Sequence, residues 1–185
     1  ADHVWPQELT KVPEGDIPLP SFSREVDTLA QTVAVEYFIP GCPPSAHQVW
    51  NVLEAIISGE TPEPGSVVGV YPKTVCDQCP RVREHTKIVE FHRPHEVIAD
   101  PERCFLEQGI FCAGPATHAG CNKPDHAPLC ISADMPCRGC YGPPEGVEDQ
   151  GAKMVAVVAS MIDSQDDEEI EEILRGSDMV FVTAG

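Results

Sequence analysis

Nine cysteines in 185 residues, eight of them between Cys76 and Cys140, constrain this chain more than any hydrophobic pattern does. In order they are Cys42, Cys76-x2-Cys79, Cys104, Cys112, Cys121, Cys130 and Cys137-x2-Cys140. So many thiols, in a chain with 19 prolines and 14 glycines, predict loops organised by bound metal rather than by a large apolar core. An odd thiol count leaves one over from any all-disulfide framework, and such frameworks belong to small secreted domains. No secretory n-region and h-region open the sequence. Two C-x2-C knuckles leave zinc open, as one or two sites of four thiolates each. Single cysteines separated by seven or eight residues on loops suit the wider cage of an iron–sulfur cube better. Chain order then divides the eight into Cys76, Cys79, Cys104 and Cys112, and into Cys121, Cys130, Cys137 and Cys140.

Other residues around the cysteines fit close wrapping of a cofactor. Gly109, Gly114, Gly120, Gly139 and Gly142 permit near approach of the backbone, and Pro136 stiffens the turn before Cys137. His85, His92, His95, His118 and His126 share the region, but eight thiols already make two complete sets, so these read as surface or supporting residues. Glu107 and Arg138 are candidates for ordering the loops. Nothing supplies a nucleophile–base pair for hydrolysis.

A formal charge of −18 argues against nucleic acid or an anionic membrane as partner and for a well-solvated cytosolic surface. No apolar run approaches the roughly 20 residues that a membrane span requires.

Along the chain, residues 1–31 read as an irregular arm. Val33–Ile39 reads as a strand stopped by Pro40-Gly41. The spacing of Ala46, Val49, Trp50, Leu53, Ile56 and Ile57 predicts a helix over 46–58, entered at Ser45 and ended by Gly59. Cys42 thus lies on a strand-to-helix turn, where α/β folds hold cofactors. Residues 61–72 read as a linker. After Glu148 come a mostly apolar helix, an acidic helix with Ser164 as its N-cap and Ile170, Ile173 and Leu174 on one face, and a short last strand in "SDMVFVTAG".

The stretches "VEYFIPGCPPSAHQVWNVLEAIISG", "KTVCDQCPR", "CFLEQGIFCAGPATHAGC" and "MPCRGCYGPPEGVEDQGAKMV" resemble the small subunit of cytoplasmic [NiFe] hydrogenases, most nearly the F420-non-reducing (methyl-viologen-reducing) type that works with heterodisulfide reductase. The resemblance begins at about residue 32. It implies an α/β remnant of a flavodoxin-like domain over 1–66, then a loop-rich two-cluster iron–sulfur domain with C-terminal helices over 67–185. It implies an electron-transfer role in an oxidoreductase whose hydrogen chemistry lies in a separate nickel–iron large subunit, so no catalytic side chain is expected here. A further electron-acceptor subunit, heterodisulfide reductase-type with iron–sulfur or flavin, is the other implied partner.

Carried over by position, Cys121, Cys130, Cys137 and Cys140 match a medial cluster, Cys76, Cys79, Cys104 and Cys112 a distal one, and Cys42 a proximal ligand. Periplasmic relatives carry histidine at the position of Cys76 and often proline at that of Cys130. Cysteine at both implies two [4Fe-4S] clusters here, plus a share of a third through Cys42. The family's N-terminal half, with its other proximal cysteines, has no counterpart in the sequence. One thiol cannot hold a cubane, so a second polypeptide, or a longer chain of which this is the C-terminal portion, is implied. The loop "CNKPDHAPLC" is also longer and more polar than the family's usual link. Two alternatives stand beside this reading: a zinc-stabilised interaction module without redox function, and a cluster subunit of a quinone-, NAD- or F420-linked oxidoreductase.

Overall fold

The computed structural model describes residues 8–20 and 27–175. They fall into two compact units, Ala1–Val35 and Glu36–Gly185. The expected division at 66/67 rested on family resemblance, whereas these units follow the packing of the chain.

In the first unit, β1 (Leu9–Val12) and β2 (Gly15–Pro18) form an antiparallel hairpin with Leu9 opposite Pro18 and Val12 opposite Gly15. The irregular arm expected here is therefore corrected. Pro13 presets φ in the turn and Gly15 adopts φ 135°, so the residues that suggested a loop close a hairpin. One helical turn, α1 (Leu29–Thr32), follows.

The second unit opens with a parallel crossover: β3 (Tyr37–Phe38), α2 (Ala46–Ser58) and β4 (Ser66–Val67), with Tyr37 opposite Ser66. The strand expected over Val33–Ile39 is thus only two residues long, because among the described residues its sole ladder partner is β4. The helix matches its predicted bounds, and Gly59 at φ 75° donates its N–H to the carbonyls of Ala55 and Ile56. The face that carries its large apolar residues is not the buried one. Gln48 and Val52 are the buried positions, while Trp50 is 65% and Ile57 84% exposed. Residues 61–72, expected as a linker, contain β4 and open β5 (Tyr71–Thr74).

β5 pairs antiparallel with β6 (His118–Ala119), and the one-turn α3 (Val75–Gln78) follows β5 directly. At the start of α3 the Asp77 carboxylate accepts from the Thr74 N–H at 2.8 Å and the Thr74 hydroxyl at 2.7 Å. From there to Cys140 the chain is mostly irregular, with 3-10 turns at Leu106–Gln108 and Gly114–Ala116 and one helical turn, α4 (Leu129–Ser132).

This region has an apolar core of its own, which corrects the expectation of organisation by metal in place of one. Ile88, Phe91, Phe105, Leu106 and Ile110 pack with Met154 and Val158 of α5 (Gln150–Met161) and with Ile162. Ile88 donates its N–H to the Met161 carbonyl at 2.9 Å, tying the loop to the end of α5. The Asp149 carboxylate caps α5 through the Ala152 N–H. For α6 (Asp167–Arg175) the capping side chain is Asp166, which accepts from the N–H groups of Glu168 and Glu169, rather than Ser164. Ser164 supports it by accepting the Asp166 N–H. Ile170 and Ile173 lean on the core. The strand expected in "SDMVFVTAG" lies outside the described residues.

Candidate metal centre

All nine cysteines are free thiols, and eight line the loops that close over the core. Cys76 sits on α3 with Cys79 just past its end, where the Cys79 N–H bonds the Cys76 carbonyl at 3.3 Å. Cys104 is held beside them because its N–H donates to the Val82 carbonyl at 2.9 Å and the Val82 N–H to that of Glu102 at 2.7 Å. Cys112 is buried behind. Cys76 interacts electrostatically with Cys79 and Cys104, and also with Cys137, while Cys112 interacts with Cys76 and Cys104. Burial pushes the Cys76 thiol up to about 12; the Arg83 guanidinium opposes this, and Cys104 and Cys79 add to it. Burial likewise raises Cys112 to about 12, against backbone N–H donors from Gly114 and Cys137 and with Cys76 and Cys104 adding.

The second neighbourhood holds Cys121, Cys130 and Cys140. Burial raises Cys121 and Cys140, and each is raised further by Cys130. Cys130 lies on α4 and accepts the Met135 N–H on its carbonyl at 2.9 Å. Cys137 stands between the groups. Burial lifts it to about 12, and both Cys112 and Cys130 contribute. Its N–H donates to Cys112 Sγ at 3.2 Å, and its carbonyl accepts from Ala113 at 3.0 Å. Cys42, exposed at the entry to α2, donates its N–H toward the Cys140 sulfur.

Several features suit these thiols to an iron–sulfur cluster. A Cβ on Gly114 would lie 3.2 Å from Cys76 Sγ and 3.5 Å from Cys112 Sγ, so glycine brings the backbone close to both sulfurs without crowding Cys76. Cys76, Cys79 and Cys104 line a cavity of about 610 Å³ whose wall also carries Arg83, Lys87 and Lys153. Backbone N–H groups aimed at sulfur, from Arg81 to Cys79, Gly114 to Cys112, Leu129 to Cys121 and Gly139 to Cys137, stabilise thiolates against the cost of burial. Among the described residues no group of three or more His, Cys, Asp or Glu side chains is arranged to hold a metal ion.

The supporting residues were only partly foreseen. Glu107 is buried and accepts from the N–H groups of Glu84 at 2.7 Å and His85 at 2.8 Å, which braces the loop between Cys79 and Cys104. Arg83, whose guanidinium bonds the Cys104 sulfur, and Gln150, which links Thr117 and the Gly139 carbonyl, went unnoticed. A cation within four residues of a C-x2-C knuckle was the available signal for Arg83. His118 turns its ring toward the Tyr71 carbonyl at 3.3 Å, and His92 lies 4.0 Å from Glu90. Among the described residues no helix is long and apolar enough to cross a membrane.

Residues 71–150 match the family model for the C-terminal segment of the NiFe/NiFeSe hydrogenase small subunit. The chain is 39% identical over 150 residues to the vhu G subunit of the F420-non-reducing hydrogenase of Methanocaldococcus jannaschii, covering 80% of this chain and 48% of that one. It is 33% identical over 184 residues to the G subunit of the F420-non-reducing hydrogenase of Methanothermobacter marburgensis, covering 96% and 55%. The delta subunit of sulfhydrogenase 2 of Pyrococcus furiosus is 32% identical over 143 residues, covering 77% and 46%. The chain thus spans about half the length of the curated relatives it matches.

Proposed function

Because the chain belongs to the [NiFe] hydrogenase small-subunit family, whose C-terminal model spans residues 71–150, we propose that it is an electron-transfer component of such a hydrogenase. In this reading Cys76, Cys79, Cys104 and Cys112 hold one [4Fe-4S] cluster, and Cys121, Cys130, Cys137 and Cys140 a second. Cys42 gives one ligand to a third cluster completed by other polypeptide. The clusters supply one-electron chemistry between a nickel–iron large subunit and a redox partner such as a heterodisulfide reductase-type subunit, with the whole assembly in the cytoplasm.

The chain's own contribution is to bind, orient and exclude water. The observation that carries the reading is the pair of thiol neighbourhoods meeting at the Cys137–Cys112 hydrogen bond, inside the segment the family model matches. Burial raises the Cys76, Cys112 and Cys137 thiols to about 12, so binding iron as thiolates displaces their protons and makes loading depend on pH. Arg83 beside Cys76 and Cys104 offsets the negative charge that four thiolates bring into a half-buried cavity. Hydrogen is activated elsewhere in this reading, and no side chain here is assigned a catalytic role.

The test is low-temperature EPR of the complex isolated without oxygen. Signals of reduced clusters appearing under hydrogen alone are expected. Signals that appear with dithionite but never with hydrogen would assign the chain to another oxidoreductase, and no reducible signal at all would favour the zinc module.

A further inference from the structure

Arg81, two residues past Cys79, is the most fully engaged cation among the described residues. Its side chain is only 3% exposed. One guanidinium nitrogen donates to the Asp100 carbonyl at 2.6 Å and the Arg103 carbonyl at 3.0 Å, and the other to Asp134 Oδ1 at 3.0 Å. The guanidinium carbon lies 3.8 Å from the centroid of the Phe105 ring. Its own backbone N–H donates to the Cys79 sulfur. One residue therefore joins three segments: the knuckle of Cys79, the run into Cys104, and the loop from Cys130 to Cys137.

Asp134 shows that the third tie is built rather than incidental. It adopts φ 53°, a left-handed conformation that few side chains other than asparagine and aspartate take up readily. Glycine would take that turn freely but would offer Arg81 no carboxylate. The carboxylate is 77% exposed, so the ion pair adds little to stability, and its effect is geometric. The loop is already pinned at its far end, where the Cys137 N–H meets Cys112 Sγ. Ile131 anchors the near end in the core, and the Asp134 tie fixes the exposed turn between the two anchors. The segment before Cys104 has further braces of its own, since Gln108 Nε2 donates to the Asp100, Arg103 and Cys104 carbonyls.

We propose that Arg81 is a positioning residue: through Asp134 it fixes the loop of Cys130 and Cys137 against the loops of Cys79 and Cys104, and so sets the separation of the two cysteine sets. The consequence for clusters rests on the functional reading above, whereas the tie itself does not. Amide hydrogen exchange and EPR on the protein purified as its native complex keep the two apart. Asp134→Asn tolerates the same backbone conformation but gives up the charge. It is expected to speed exchange over 131–136 about fivefold and leave 100–104 within about twofold. Arg81→Lys is expected to speed both segments, and the double variant to exceed the larger single effect over 131–136 by no more than about twofold. Iron content in Asp134→Asn should stay unchanged, while the magnetic interaction between reduced clusters changes in its EPR spectrum. Exchange over 131–136 unchanged in Asp134→Asn, or two effects that simply multiply, overturns the proposal even if Arg81→Lys fails to fold. Wild-type protein without iron would instead overturn the functional reading and leave the exchange result to decide the tie.

Discussion

Two stretches of the second unit, each rich in apolar residues, meet opposite fates. Around α2 the large side chains face outward: Trp50, Leu53, Ile56 and Ile57 are all exposed, and the buried positions are Gln48 and Val52. Between Val75 and Ile162, where the sequence shows little periodicity, Ile88, Leu106 and Ile110 are each 1% exposed. The difference teaches where this polypeptide completes its own packing. The cysteine loops close on an internal core and are braced by Glu107, Arg81 and α5. The β3–α2–β4 crossover leaves an apolar face open, and a two-residue parallel pair is too short a sheet to cover it.

The sharpest way to break that contrast is to disturb the thiols. Cys112→Ser replaces a buried thiol that meets both Cys76 and the Cys137 N–H, and about half the bound iron should be lost on analysis of the purified variant. Iron undiminished in that variant would remove Cys112 from the ligands. Next in size is a matched pair of truncations followed by chemical denaturation. Leu106→Ala should cost about 2–5 kcal/mol, because it opens a cavity in the core, and Leu53→Ala less than about 1 kcal/mol. Equal costs would mean that α2 is as firmly packed as the cysteine region. Glu107→Gln keeps the shape but weakens two charge-assisted bonds, and a loss of about 1–3 kcal/mol is expected by the same assay.

The smallest effect belongs to the exposed turn at α3. Hydrogen bonds from the Thr74 hydroxyl and N–H hold the Asp77 carboxyl below its usual range. A carboxyl depressed in the folded state contributes stability above its unfolded pKa and loses it as pH falls through the folded value. Asp77→Asn should therefore cost less than about 1 kcal/mol near neutrality and nothing measurable in acid, read from paired unfolding curves at the two pH values.

How much of this was legible beforehand divides along the same line. The bounds of α2 followed from local signals, the 3.6-residue spacing and Gly59, and local signals survive whatever the tertiary surroundings. Which face is buried depends on what lies next to the helix, and no spacing rule carries that. The core around Leu106 was illegible for the opposite reason. Phe91, Phe105 and Ile110 come together through irregular backbone, where position in sequence says nothing about direction in space. Cysteine spacing indicated which thiols could be neighbours, because loop length limits reach. It could not show Cys137 standing between two neighbourhoods, nor Arg81 bridging from Cys79 to Asp134, since those are contacts across 25 and 53 residues of chain.

The most direct measurement is iron and acid-labile sulfide analysis, with zinc determined in parallel, on protein purified without oxygen. About eight irons and eight sulfides per chain are expected for the two clusters proposed, more if a partner completes the site at Cys42, and no stoichiometric zinc. One or two zinc ions per chain with no labile sulfide would contradict the cluster reading.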